Sequence, residues 1–257
     1  MSNFGRVKHY LPIYIIRYMN YSNFDVENIT RERELYMSSA LPALMRKVYV
    51  WMTMALVISG VTAYAVATTP ALLMAITTKP MLFFGLIIAE LAMVIGLSAA
   101  IQRLSLFTAS LLFVLYSVIN GATLSFIFIA YTMSSITNVF FITAGTFAVM
   151  ALIGYTTKTD LTSLGKFLFM ALIGLIIATV VNIFVRSTGL ELIASYAGVI
   201  VFVGLTAYDT QKIKKMLMTA DEVNDATQKL ALLGALSLYL DFINLFLYLL
   251  RIFGRRE

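Results

Sequence analysis

The last apolar stretch of the chain, GALSLYLDFINLFLYLLRIFG at residues 234–254, has the length of a membrane-spanning helix but carries an acid at its middle. An α-helix rises about 1.5 Å per residue, so roughly 20 residues cross about 30 Å of hydrocarbon. A carboxylate at the centre of such a helix costs roughly 2.5–3.5 kcal/mol on insertion scales. A cost of this size favours a functional role for Asp241.

The composition is that of a polytopic membrane protein. The chain has 257 residues, of which 60% are hydrophobic and 12% are charged, whereas a soluble domain is nearer half apolar and a quarter charged. It has no cysteine and a single histidine, His9, which excludes disulfides, thiol catalysis and histidine-based metal sites or triads. The net charge of +6 comes mainly from basic residues beside apolar spans, which indicates membrane topology and not nucleic-acid binding.

Seven apolar runs predict seven transmembrane helices. The runs cover approximately residues 44–67, 81–101, 105–130, 136–156, 165–186, 189–212 and 229–253. They are continuous and do not alternate, which favours helices over barrel strands. Residues 1–43 are mixed in character, and no cleaved signal peptide is expected there. We therefore predict an all-α membrane protein with a seven-helix transmembrane domain at residues 44–257, preceded by a polar N-terminal segment at residues 1–43.

The charges of the short loops predict the orientation of this bundle. One side of the membrane is rich in basic residues, namely Arg46, Lys47, Arg103, Lys158, Lys166, Lys212, Lys214 and Lys215. The other side holds only Lys79 and Arg186 before the C-terminus. The positive-inside rule therefore places the N-terminus in the cytoplasm. The basic tail, with Arg251, Arg255 and Arg256, opposes this rule if the last helix crosses fully. We favour a full crossing, and a re-entrant last helix is the alternative.

Three acids lie inside predicted spans. Glu90 is near the middle of the second span, Asp209 near the cytoplasmic end of the sixth and Asp241 at the middle of the seventh. On the last helix, four polar residues recur at helical spacing along one face: Ser237, Asp241, Asn244 and Tyr248. A polar face of this kind meets a partner helix or a water-filled cavity.

We therefore predict a polar cavity inside the bundle. Its predicted lining is Glu90, Thr206, Asp209, Ser237, Asp241 and Asn244. The alternative is that each acid is a protonated or hydrogen-bonded packing residue. Asn120 and Asn182 are expected to bond between helices, and close helix approach is expected at five glycines: Gly85, Gly96, Gly121, Gly174 and Gly198.

The sequence lacks the common catalytic motifs. It holds no serine–histidine or cysteine–histidine pair, no phosphate-binding glycine loop and no HExxH motif. A di-aspartyl intramembrane protease also carries aspartates in two spans, and AYDTQ at residues 207–211 contains its YD element. LYLDF at residues 238–242 lacks the glycines of the second element, GxGD. We therefore predict that the protein is not an enzyme and needs no cofactor.

Three stretches resemble the Bax inhibitor family, the transmembrane Bax-inhibitor-motif proteins, in a bacterial form. They are LPALMRKVYVWMTMALVISGVTAY at 41–64, GLTAYDTQKIK at 204–214 and LSLYLDFINLFLYLLRIFG at 236–254. The resemblance covers about residues 40–254. It implies two three-helix layers around a central C-terminal helix, in the bacterial cytoplasmic (inner) membrane. It also implies a pH-sensitive calcium leak, with calcium as the permeant ion.

The resemblance also implies a pH sensor. In the family it is a hydrogen-bonded aspartate pair on helices six and seven, which falls here on Asp209 and Asp241. Two carboxyls close together in a low dielectric retain a shared proton, and a change in their charge alters how the two helices attach. Asp209 and Asp241 would also be the transient contacts of calcium, which takes oxygen ligands.

One position departs from the family pattern. A bacterial relative carries an arginine at the end of helix two that latches one of the aspartates. Aligned through ELAM at residues 90–93, that position is Ile101, and Arg103 lies two residues later, about 200° further around a helix. We expect Arg103 to be at most a weak latch, and Asp209 to rely mainly on Asp241 and water.

The resemblance leaves a second function open. Some bacterial members resemble modulators of the membrane-anchored AAA protease, and eukaryotic members are anti-apoptotic factors. A non-conducting regulator that binds a membrane protease or other membrane proteins is therefore the alternative to a channel. Residues 1–43 would be its docking segment, unless they form a loosely ordered cytoplasmic tail.

Overall fold

The fold was obtained as a computed structural model. It describes the backbone of residues 13–218 and 224–255 and the side chains of residues 40–218 and 224–255. The helices are α1 (Ile13–Thr68), α2 (Pro70–Thr78), α3 (Pro80–Ala100), α4 (Leu106–Leu124), α5 (Ile127–Ala130), α6 (Met133–Thr156), α7 (Thr162–Val185), α8 (Thr188–Met218) and α9 (Asp225–Phe253). The chain divides into two units, Met1–Pro42 and Ala43–Glu257, and the second is described below.

Seven of the described helical segments are long and apolar enough to cross a membrane, which confirms the predicted class. They are Ala40–Thr68, Pro80–Ala100, Leu106–Ala130, Met133–Thr156, Thr162–Val185, Thr188–Met218 and Asp225–Phe253. The sixth span extends six residues beyond its predicted end and the seventh begins four residues early. Their polar ends stay helical because the helix need not stop where the apolar run stops. The short helix α2, which begins at Pro70, was not predicted.

Helix α9 lies between two groups of helices. The first helix group is α3 and α4 with the membrane-spanning part of α1, and the second helix group is α6, α7 and α8. In the first group α4 packs against α3, and in the second α8 packs against both α6 and α7. Helix α9 contacts α4 on one side and α6 and α8 on the other. Leu238, Tyr239 and Leu245 of α9 are fully buried, so the C-terminal helix is central, as the resemblance implied.

Small residues permit the closest helix contacts. A Cβ atom added to Gly121 would lie 2.6 Å from the carbonyl oxygen of Ser59, so α1 and α4 approach there backbone to backbone. The same holds at Gly154, where an added Cβ would clash with the carbonyl oxygen of Ala207. A side chain at either position would push the helices apart.

The last helix crosses the whole bundle. Helix α9 runs without interruption over 29 residues, or about 43 Å. Its end lies beside the start of α6, because the carbonyl of Arg255 accepts a hydrogen bond of 3.1 Å from the backbone of Thr132. This favours the full crossing over a re-entrant helix. Residues 1–43 were considered as a docking segment. The side chains of residues 1–39 lie outside the described part of the chain.

Candidate functional site

The polar face of α9 lines a cavity of about 800 Å³. The cavity lies among α3, α7, α8 and α9 and receives Tyr116 from α4. All four members of the predicted stripe, Ser237, Asp241, Asn244 and Tyr248, line it. A spacing of three or four residues keeps these side chains on one face, so helical periodicity alone aligned them. Asp209 of α8 and Glu90 of α3 also line the cavity, which therefore holds all three intramembrane acids.

Asp209 is held by the neighbouring helix. The hydroxyl of Ser237 on α9 donates a hydrogen bond of 2.5 Å to Oδ2 of Asp209 on α8. Ser237 lies one turn before Asp241, so this bond fixes the level at which the two helices meet. Thr206, which we predicted to line the cavity, does not. It is fully buried and donates to the carbonyl of Phe202 on its own helix, at 2.7 Å. Threonine often bonds in this way inside helices.

Asp241 is buried without a full set of partners. Its side chain is 5% exposed, and its Oδ2 atom has no hydrogen-bond partner. Within the described part of the chain no hydrogen bond joins Asp209 to Asp241; Ser237 takes that place at Asp209. The two aspartates therefore line the same cavity without the direct hydrogen bond that was expected. Asp209 is instead connected to the helix of Asp241 through Ser237. A buried unpaired polar atom is costly and calls for an explanation.

Glu90 belongs to a hydrogen-bond network that joins α9 to the first helix group. Its carboxylate accepts a hydrogen bond of 3.1 Å from the amide of Asn120 and one of 2.7 Å from the hydroxyl of Thr123, both on α4. The carbonyl of the Asn120 amide accepts a bond of 2.7 Å from Tyr239 of α9. Tyr239 in turn lies 2.7 Å from the hydroxyl of Ser59 on α1. Four helices are therefore connected through one buried network.

This network has more contacts than protons when Glu90 is ionised. The hydroxyls of Ser59 and Tyr239 carry two protons, but three contacts need one: Ser59 to the carbonyl of Ser117 at 2.7 Å, Ser59 to Tyr239, and Tyr239 to Asn120. If the amide of Asn120 were reversed and Glu90 were protonated, each of these three contacts would have its own proton. The network therefore accommodates a proton on Glu90.

The end of helix α3 is held by a lysine that sequence reasoning missed. Lys229 of α9 is 9% exposed and donates hydrogen bonds of 3.2 Å and 3.1 Å to the carbonyls of Gln102 and Leu104. Carbonyls at a helix C-terminus lack partners within the helix and attract cations. Arg103 is exposed and forms no ion pair with any described carboxylate. Arg103 therefore forms no latch with a described aspartate. Lys229 instead joins α9 to the C-terminal end of α3, and no aspartate takes part in this contact.

Two side chains that follow Asp209 on α8 hold the loop at residues 157–161 in place. Gln211 accepts a hydrogen bond of 2.9 Å from the backbone of Leu161 and donates one of 2.8 Å to the carbonyl of Thr159. Lys215 forms an ion pair of 2.6 Å with Asp160. The hydrogen bond from Lys215 lowers the pKa of Asp160 to about 2. We call this side of the bundle the loop end.

The donor atoms of the cavity suit a passing cation better than a resident one. Among the described residues, no cluster of three or more histidine, cysteine, aspartate or glutamate side chains could hold a metal ion. Asp209 and Asp241 offer carboxylate oxygens, which calcium prefers, but a stable calcium site takes about six to eight oxygens. Asp241 lines the cavity, and its buried Oδ2 atom has no hydrogen-bond partner among the described residues.

Comparison with known proteins agrees with the architecture. The family model described as Inhibitor of apoptosis-promoting Bax1 matches residues 41–257. Inner membrane protein YbhL of Escherichia coli K12 is 52% identical over 222 residues, which cover 85% of this chain and 94% of that protein. A protein of Borreliella burgdorferi is 46% identical, over 83% of this chain and 92% of its own length. A Rickettsia prowazekii protein is 43% identical, over 89% of this chain and 96% of its own length. The chain therefore belongs to the Bax inhibitor family.

Proposed function

We propose that this protein is a pH-sensitive leak channel for cations, with calcium as the permeant ion. The observation that carries the proposal is Asp241, which lines a cavity of about 800 Å³ and whose buried Oδ2 atom has no hydrogen-bond partner among the described residues. A residue kept for packing would have its polar atoms satisfied. A carboxylate that meets a hard cation in passing needs a free oxygen instead.

Asp209 and Asp241 form the proposed gate. Asp209 is bonded to α9 through Ser237, and Asp241 lies one turn further along the same helix. Coupled carboxyls release their protons in steps that belong to the pair. A change in the charge of this pair alters the attraction between α8 and α9, and so biases the bundle between two states. Proton uptake by the acids thereby becomes a change in helix attachment.

The membrane setting follows from the helices and from the relatives. The chain is a multi-pass inner membrane protein, with seven apolar helices and an inner membrane relative. We propose that the N-terminus is cytoplasmic, because the basic loops predict that orientation. The loop end would then face the cytoplasm. No catalytic role is proposed for any residue.

Calcium flux into liposomes that contain only this protein tests the proposal, measured from about pH 5 to about pH 8, around the expected titration of a coupled carboxyl pair. Asp209→Asn and Asp241→Asn should each flatten the pH response, because asparagine keeps the shape but cannot titrate. Asp225→Asn is the matched control, since Asp225 lies in the exposed first turn of α9. A wild-type pH response in both cavity variants would refute the gate.

The same measurement separates the channel from the alternative. A non-conducting regulator of a membrane-anchored AAA protease should give no flux in liposomes at any pH. Correctly folded wild-type protein that stays silent would therefore favour the regulator. Flux that remains in the absence of any partner would favour the channel.

A further inference from the structure

The cavity opens sideways into the bilayer. Several of its lining side chains are also more than half exposed on the outside of the bundle. They are Leu91 (59%) and Ile95 (67%) of α3, and Phe169 (59%), Met170 (63%) and Ile176 (55%) of α7. In a membrane these surfaces meet lipid acyl chains. Because both walls of the opening are apolar and lipid-facing, an acyl chain can enter between α3 and α7 without leaving an apolar environment.

The cavity has a basic margin at the loop end. Lys166 of α7 and Lys212 of α8 both line it. Lys212 follows Gln211, which binds the loop at residues 157–161, so its ammonium group lies near the end of the bundle. Lysine side chains at this depth reach the interface between lipid and water.

Within the described part of the chain, these two lysines differ from their neighbours in having no hydrogen-bond or ion-pair partner. Lys214 donates a hydrogen bond of 2.8 Å to the carbonyl of Tyr155, and Lys215 is paired with Asp160. Neither Lys166 nor Lys212 forms a hydrogen bond or an ion pair with the described residues. Lys212 lies over the ring of Tyr208, 5.8 Å from its centre, and its charge acts on Asp209 and Asp241 from beyond ion-pair distance. Two cations therefore remain available at one end of an apolar cleft.

We propose that the cavity binds an anionic phospholipid from the surrounding bilayer. One acyl chain lies between α3 and α7, and the phosphate group lies against Lys166 and Lys212. The cavity volume falls within the range of about 300–1,000 Å³ that is typical of small-molecule sites. Basic pockets between membrane helices are known binding places for anionic headgroups.

The acids on the floor of the cavity lie deeper in the bundle than the two lysines. Glu90 is bonded to Asn120 and Thr123 and Asp209 to Ser237, while Asp241 is 5% exposed and lies one helical turn beyond Ser237. The headgroup therefore stays at the lysines while the apolar chain covers the walls. This proposal does not rest on the channel function, because binding alone tests it.

Native mass spectrometry of the purified full-length protein tests the headgroup contact. Phosphatidylglycerol and phosphatidylcholine with identical acyl chains serve as the probes. Wild type should retain phosphatidylglycerol roughly tenfold or more better, because the two lysines attract its net negative charge, which the ammonium group of phosphatidylcholine cancels. Lys166→Gln/Lys212→Gln should lose that preference. Lys79→Gln/Lys158→Gln removes the same charge from exposed lysines outside the cavity and should keep it.

A second pair of variants tests where the chain lies. Ile176→Trp narrows the opening from the α7 side and should reduce retention of both lipids. Ile183→Trp is the control, because Ile183 is 65% exposed on the same helix and does not line the cavity. Both sites face lipid, so neither change should disturb folding. Equal retention of the two lipids by wild type, or unchanged retention in both cavity variants, would overturn the proposal.

Discussion

Replacing Asp241 by leucine should stabilise the protein while abolishing the proposed pH-dependent flux. Asp241 is buried at the centre of α9, and one of its oxygens has no partner. Leucine has a similar reach and no polar atom to satisfy. The adjoining cavity of about 800 Å³ gives the larger side chain room. A residue retained for stability would behave in the opposite way.

The expected gain follows from the unsatisfied oxygen. A buried polar atom without a partner costs about 1–3 kcal/mol. Some of this gain is offset by repacking around the leucine, since an added methyl group can force small shifts. We therefore expect the free energy of unfolding to rise by about 1–2 kcal/mol, which is roughly a five- to thirtyfold change in the ratio of folded to unfolded protein.

Unfolding in mixed micelles with increasing denaturing detergent gives the measurement. The chain has a single tryptophan, Trp51, whose ring centre lies 6.3 Å from that of Phe113 on α4, so its fluorescence reports the packing of the first helix group. Asn244→Leu is the matched control. Asn244 lines the same cavity but donates a hydrogen bond of 2.8 Å to the carbonyl of Leu240, so the gain there should be smaller.

The reasoning fails if Asp241→Leu lowers the free energy of unfolding by more than about 1 kcal/mol, the typical worth of one hydrogen bond. That result would mean that Asp241 has a stabilising partner in the folded protein. A variant that is more stable but still conducts with a wild-type pH response would separate stability from gating. Asp241 would then have no part in the proposed sensor.

Three further predictions concern the polar contacts around the bundle. Lys229→Met should lower the free energy of unfolding by about 1.5–3 kcal/mol in the same assay, because two carbonyls lose a charged donor; exposed Lys158→Met should change it by less than about 0.5 kcal/mol. Glu90→Leu should cost about 1–3 kcal/mol by stranding two donors, whereas Glu90→Gln should cost less because glutamine can still accept. The pKa of Asp160 is lowered to about 2 in the folded protein, against about 4 in the unfolded protein, so its ion pair with Lys215 stabilises the fold above about pH 4. This stabilisation is lost as the pH falls through about 2. Lys215→Gln should raise the titration midpoint of Asp160, followed by carbon NMR, only part of the way to about 4, because the two hydrogen bonds from Thr162 remain. An unmoved midpoint would contradict the assignment.

The features that the sequence predicted correctly are those that a single helix and the bilayer determine. The seven spans follow from the thickness of the hydrocarbon, which any apolar run of about 20 residues satisfies. The cavity face of α9 follows from helical periodicity, which needs no knowledge of the neighbouring helices. Ser237, Asp241 and Asn244 therefore line the cavity, as predicted.

The features that could not be predicted from the sequence depend on how each helix is rotated about its axis and on which neighbouring helix it contacts. Of the five glycines expected to allow close approach, Gly121 and Gly198 face a neighbouring helix, while Gly85, Gly96 and Gly174 have nothing within 4 Å of an added Cβ. Small residues alone do not reveal which face is packed. Thr206 shows the same limit, because its hydroxyl is satisfied by its own helix and carries no information about a partner.

The central helix α9 also has a second polar face, which was not recognised in the sequence because attention fell on the stripe that contains Asp241. Tyr239 lies two residues before Asp241, so the two side chains point about 160° apart around α9. Asp241 meets the cavity beside the second helix group, whereas Tyr239 bonds Asn120 and Ser59 in the first. A movement of α9 that changes the spacing between Asp241 and α8 must also move Tyr239 relative to α1 and α4. The network at Tyr239 has one contact too many for its protons while Glu90 is ionised, so it resists such a movement least in that state. The two ends of this arrangement, the proposed aspartate gate and the Glu90 network, are therefore coupled through one rigid helix.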